Sequence, residues 1–98
     1  MKLKVALAAS RDLRAIAEHI ARDNPPRARS FIRELNEKIR KVAEQPLLYP
    51  VKEDWGRARR SAIHRNYHIV YRIEDDTVLV LRVLNGVRDI GSLLKEPE

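Results

Sequence analysis

The chain has 98 residues, 44% of them hydrophobic and 35% charged, with no cysteine. That length bounds it to one domain with a modest core. The lack of cysteine excludes disulfides and thiolate metal sites, and no run approaches the roughly 20 apolar residues of a membrane helix.

The net charge of +6 is uneven. Residues 1–45 carry 11 Lys and Arg against 6 Asp and Glu, whereas residues 46–98 carry 9 against 8. A basic balance suits nucleic acid or an acidic protein partner, and it also keeps a small protein soluble. The N-terminal apolar run is too short for a signal peptide, because charge returns at Arg11. The expectation is a soluble, cytoplasmic protein with no membrane contact.

Lys2 to Leu7 alternates, with Leu3, Val5 and Leu7 on one face and Lys2 and Lys4 on the other. This predicts a short half-buried strand. Ser10 then offers a helix cap, and Asp12 would sit in the first turn near the positive end of the dipole. Leu13, Ile16, Ala17, Ile20 and Ala21 keep helical spacing, predicting a helix over 11–22. Asp23-Asn24-Pro25-Pro26 breaks it, with Asn24 as the next cap and proline suited to a first turn. A second stripe, Ala28, Phe31, Ile32, Leu35, Ile39, Val42 and Ala43, predicts a helix over 26–44 that Pro46 ends. The short link favours an antiparallel helical hairpin.

Residues 45–56 form a loop with two prolines and the single tryptophan. Residues 57–63 are a highly charged strand candidate, and charge guards exposed sheet edges. Tyr67, Ile69, Tyr71 and Ile73 share one face of a strong strand. Glu74-Asp75-Asp76 is the hairpin turn. Residues 77–84 are apolar at nearly every position, which marks a central strand. Arg82 interrupts that strand and needs a partner, with Asp89, Glu34 and Glu37 as candidates. The order β-α-α-β-β-β gives an α+β fold: a helical hairpin on one mostly antiparallel sheet. The chain reads as a single domain over 1–98, with 91–98 a short or frayed tail.

Metal chemistry is weakly supplied. His19, His64 and His68 are the only histidines, and none has a metal-ligand spacing. There is no nucleophile elbow around Ser30, Ser61 or Ser92, and no glycine-rich phosphate loop. No metal and no cofactor are expected. Metal-free RNA cleavage needs a base, an acid and cations for the phosphorane. The inventory for it is Arg59, Arg60, Arg72, Arg82 and Arg88 with His64, His68, Tyr67 and Tyr71, which any basic sheet would also supply.

Several phrases carry a family resemblance across roughly residues 7–94. They are RDLRAIAEHIARDNPPRARSFIRELNEKI, then QPLLYP, then IHRNYHIVYRIEDDTVLVLRVLNGVRD. In this order the chain resembles the ParE branch of the RelE/ParE toxin superfamily. The resemblance implies the toxin of a type II toxin–antitoxin system, of the kind that stabilises plasmids. ParE toxins poison DNA gyrase, so the implied role is inhibitor rather than catalyst, and DNA contact is indirect, through gyrase or antitoxin. RelE-type relatives instead cut messenger RNA in the ribosome, and a shared fold does not choose between them.

The resemblance also bears on single residues. The RelE-type nucleases carry a catalytic arginine where this chain has His68. Their arginine beyond the last strand is matched by Arg88. Their lysine pair falls at Arg59 and Ser61, and their later tyrosine falls near Leu94. An incomplete set argues against RNA cleavage; a nuclease here would rest on His68, Arg88 and Arg59. The ParE branch commonly has histidine at Asn85, which leaves a non-toxic, antitoxin-binding homologue as a third reading. The implied partner is a ParD-type antitoxin with an acidic, partly disordered tail. Candidate target- or antitoxin-binding residues are Arg59, Arg60, Arg65, Arg72, Arg82, Asn85 and Arg88, with the docking groove between the helical hairpin and the edge strand over 57–63.

Overall fold

The computed structural model describes residues 1–86. Arg88, Asp89 and the tail over 91–98 therefore lie outside the described residues. The elements are β1 (Lys2–Val5), α1 (Leu7–Ala21), α2 (Pro25–Glu44), β2 (Arg60–His64), β3 (Tyr67–Glu74) and β4 (Thr77–Asn85), with two single 3₁₀ turns between α2 and β2. The sheet order is β1-β4-β3-β2. β2, β3 and β4 form an antiparallel meander, and β1 joins β4 in parallel. The expected order and the central place of β4 both hold.

The helices cover one face. Ile16, Phe31, Leu35, Ile39 and Val42 pack on Ala62, Ile69, Tyr71, Val78, Val80 and Val83 to form the main core. Tyr71 is fully buried and donates its hydroxyl to the Pro46 carbonyl, which ties the end of α2 to the sheet. Asn24 caps α2 as expected, its Oδ1 accepting from Arg27 N at 3.1 Å.

The first helix differs from expectation. It starts at Leu7, and Ala6 is its cap, with no side-chain hydrogen bond. Ser10 lies inside the first turn and donates its backbone N–H to the Ala6 carbonyl at 3.0 Å. Ala6, Ala8 and Ala9 are good helix formers, so the helix propagates back to the end of β1 without a polar cap. Asp12 then falls a turn later than expected and reaches β4. β1 ends at Val5, short of Leu7, and all four of its residues are exposed rather than half-buried.

β4 carries a bulge. Val70 opposes Arg82 while Tyr71 opposes Val80, so Leu81 is an extra residue. The bulge shifts the inward parity of β4 from Val78 and Val80 to Val83. That is how a strand apolar at nearly every position feeds both faces. Arg82 has a partner the sequence did not name, Asp12, while the expected Asp89 lies outside the described residues. The Arg82 Nε and Nη2 donate to Asp12 at 2.8 and 3.0 Å.

β2 begins three residues later than expected. Gly56 (φ 111°) and Ala58 (φ 57°) turn the chain there. The strand does lie at a sheet edge. Its outer side is partly covered, because Ser61 N donates to the Pro50 carbonyl and Lys52 N to the Arg59 carbonyl.

Candidate functional site

The sheet face away from the helices is built by register. Ser61 and Ile63 of β2, His68 and Val70 of β3, and Leu81 and Leu84 of β4 point to it. Val70 and Leu84 are buried there, and Trp55 packs over them to form a small second core. At its side His68 Nδ1 lies 2.7 Å from Ser61 Oγ. The Trp55 ring meets the His68 ring edge-on at 5.1 Å between centroids. Gly86 closes the remaining side: a Cβ there would stand 2.9 Å from His68 Nε2. Burial lowers the His68 pKa below the ordinary imidazole value, helped by the charge of Lys52.

A serine hydroxyl on a neutral imidazole has the form of an activated nucleophile. Here Ser61 is only 3% exposed, which leaves no room for a substrate atom. The pair is a satisfied, part-buried hydrogen bond. The sequence contains the signal for it: a two-residue turn at Arg65-Asn66 sets Ile63 opposite His68 and makes Ser61 its diagonal neighbour.

His64 is four residues from His68 and faces the other side, toward the helices. Its Nε2 lies 2.8 Å from Glu34 Oε1. Glu34 also binds Arg27 Nη1 at 2.5 Å and stands 3.6 Å from Arg65 Nε. The Arg27 hydrogen bond, followed by that from His64, holds the Glu34 carboxyl down to about 2. Phe31 floors this cluster, with the Arg27 guanidinium 5.0 Å above its ring and His64 and Tyr67 against its edges.

The six described candidate binding residues do not form one patch. Arg59 is buried, with its Nε against Gly56. Arg60 Nη1 donates to the Tyr49 carbonyl at 2.7 Å. Arg65 is exposed beside Glu34. Arg72 grips Glu74 through Nε at 2.7 Å and Nη2 at 2.6 Å. Arg82 is held by Asp12. Asn85 is half-buried and lines a cavity of about 240 Å³ with Asp12, Ile16, His19 and Tyr67. Neither Asn85 nor Gly86 has a positive φ, so their role is close packing and not a left-handed turn. Arg88 lies outside the described residues.

Further exposed positive charge lies on the helices. Arg14, Arg22, Arg29, Arg33 and Arg40 are exposed along the hairpin. Between the two helices runs a groove of about 490 Å³ floored by Ala17, Ala21, Ala28 and Ile32. The sequence reading included the hairpin in the docking groove but named candidate cations only on the sheet and beyond it. The signal was the +5 excess of residues 1–45, all but two of whose Lys and Arg lie on or between the helices. Among the described residues no cluster of His, Asp and Glu is placed to hold a metal ion. No described helix is long and apolar enough to cross a membrane.

Comparison with known proteins agrees with this architecture. The model of the ParE toxin family of type II toxin–antitoxin systems matches residues 3–90. The fold is similar to the chromosomal ParDE toxin–antitoxin system from P. aeruginosa, with a TM-score of 0.78 and 19% identity over 87% of this chain and 95% of that one. It is also similar to the RelBE2 toxin–antitoxin complex from Mycobacterium tuberculosis, with a TM-score of 0.63 and 25% identity over 86% of this chain and 95% of that one. No curated protein sequence matches the chain. With the helical hairpin, the four-stranded sheet and a family match over residues 3–90, the chain belongs to the ParE family of type II toxin–antitoxin toxins.

Proposed function

We propose that this toxin acts by binding DNA gyrase as an inhibitor, and that a ParD-type antitoxin with an acidic, partly disordered tail neutralises it. The observation that carries the reading is the packing of the two described nuclease positions, His68 and Arg59. His68 is locked between Ser61, Trp55 and Gly86, and Arg59 is buried. A general base must reach its proton and a cation must reach the phosphate. Arg59 is buried away from any RNA strand, and part-buried His68 has its Nδ1 already engaged by Ser61. The apolar groove between the helices, with Arg29 in its lining and further exposed arginines on the hairpin, suits an acidic amphipathic segment instead. Charge of this kind speeds encounter and sets specificity.

The experiment is a gyrase supercoiling assay with purified chain. Inhibition at micromolar toxin supports the reading, and undisturbed supercoiling at that concentration overturns it. A second reading, ribosome-associated cleavage of messenger RNA, draws on the neutral His68 imidazole and on the likeness to the RelBE2 complex. It requires codon-linked cuts after induction that His68→Ala abolishes.

A further inference from the structure

The QPLLYP stretch that follows α2, residues 45–50, is held as a fixed turn. Pro46 is buried, and its carbonyl accepts the hydroxyl of Tyr71 from the core. Leu48 N donates to the Gln45 carbonyl at 3.2 Å. Tyr49 is half-buried against the main core, with Lys38 Nζ 5.0 Å over its ring. The Tyr49 carbonyl accepts from Arg60 Nη1 at 2.7 Å, and the Pro50 carbonyl accepts from Ser61 N at 3.3 Å. Leu47 and Leu48 thus stand between anchored neighbours on both sides.

Both leucines nevertheless face solvent, at 71% and 68% exposed. Turns are ordinarily polar, and the turn bond here uses backbone groups that serine or asparagine would supply equally. Two adjacent large apolar side chains in water therefore call for a partner. Met1, 59% exposed, extends the patch across a hollow of about 430 Å³ that the leucines line with Pro46. The surroundings are basic: Lys2 follows Met1, Lys38 reaches Tyr49, and Lys41 is exposed one turn before Gln45. Glu44 is the acid among the lining residues.

Shape selects the kind of partner. A disordered tail fills grooves and adds strands. Leucines this exposed on a fixed turn are covered by a concave surface that exists beforehand, which a folded protein supplies. Fixing the turn in advance also lowers the ordering cost of binding. A second copy of this chain would set two basic rims together between molecules of net charge +6. We infer that Leu47 and Leu48 are the anchor by which this chain docks on its folded target, DNA gyrase, entering an apolar pocket of gyrase rimmed by acidic side chains. Carboxylates of that rim meet Lys2, Lys38 and Lys41, which steers the encounter. The inference rests on the reading of this chain as a gyrase inhibitor, and it names the contacting surface. It leaves the groove between the helices to the antitoxin.

The test is a supercoiling assay with purified gyrase, run on the full chain and three variants. Leu47→Ala/Leu48→Ala should raise the concentration for half inhibition about 100-fold. The urea midpoint of that variant should stay with the parent's, because both side chains are exposed. Leu47→Met/Leu48→Met keeps the apolar volume and should inhibit within about twofold of the parent. Leu7→Ala removes a leucine 66% exposed at the start of α1 and should change nothing. Half inhibition unmoved by the alanine pair, or moved equally by Leu7→Ala, overturns the inference. Sedimentation of the parent alone should show a monomer. A dimer that the alanine pair dissolves assigns the patch to self-association and also overturns it. Should the alanine pair prove unstable, Leu47→Ala and Leu48→Ala decide singly, at about tenfold each. A parent that spares gyrase overturns the target reading and this inference with it, whereas an inhibiting parent matched by its alanine pair loses this inference alone.

Discussion

Asp12 on α1 and Arg82 on β4 meet 70 residues apart in sequence, with Arg82 Nε 2.8 Å and Nη2 3.0 Å from the Asp12 carboxylate. The same carboxylate accepts from Val83 N at 2.9 Å. β1 stops at Val5, opposite Val80, so among the described residues no strand pairs with the side of β4 beyond it. Asp12 supplies the missing acceptor from the helix. It also balances the charge that interrupts an apolar strand. Asp12→Ala should lower stability by about 2–3 kcal/mol, less than for a fully buried pair because Arg82 keeps some solvent. Urea unfolding measures the loss, and Asp12→Asn should recover part of it.

Glu34 gives the fold an acid sensitivity. Its carboxyl is held at about 2, against an ordinary value of 4.5, chiefly by the Arg27 hydrogen bond. The fold therefore favours the ionised form. That contribution is complete above about 4.5 and is lost as pH falls toward 2. Urea midpoints measured across this window should fall less steeply for Glu34→Gln than for the parent chain.

Tyr71 acts at the other end of the scale. Burial raises its hydroxyl to about 12. The fold favours the neutral phenol, so its contribution holds below 10 and is lost as pH rises toward 12. Ultraviolet titration should show a tyrosine that ionises near 12. Tyr71→Phe should abolish that late step and cost about 1–2 kcal/mol, because the Pro46 carbonyl loses its donor.

Gly86 is required for space. A Cβ there would stand 2.9 Å from His68 Nε2 and 3.1 Å from the Asn66 carbonyl oxygen. The backbone oxygen has little room to move, since Gly86 N donates to it at 2.6 Å. Gly86→Ala should therefore destabilise by about 1–2 kcal/mol and disturb the His68 side-chain signals in NMR.

The apolar patterns in the sequence carried much of this fold. The stripe from Ala28 to Ala43 and the alternation from Tyr67 to Ile73 each belong to one element with one buried face, so period alone identifies them. Asn24 before two prolines marked its helix start for the same local reason. Ser10 failed as a marker because three alanines beside it extend the helix without a polar cap. The bulge at Leu81 left no trace, since a strand apolar on both faces hides a change of parity. Asp12 could not be assigned to Arg82, because their meeting depends on where β1 ends. At the candidate site, the arginines were legible as charges but their internal acceptors were not. Tyr49, Glu74 and Asp12 become partners only through packing.

The central claim is a toxin that works by binding gyrase and not by cutting RNA. The most direct measurement gives one purified sample to two assays, gyrase supercoiling and cleavage of messenger RNA on ribosomes. The account predicts inhibited supercoiling at micromolar chain with intact message, unchanged in its target by His68→Ala. Unaffected gyrase together with codon-linked cuts that His68→Ala removes would contradict it.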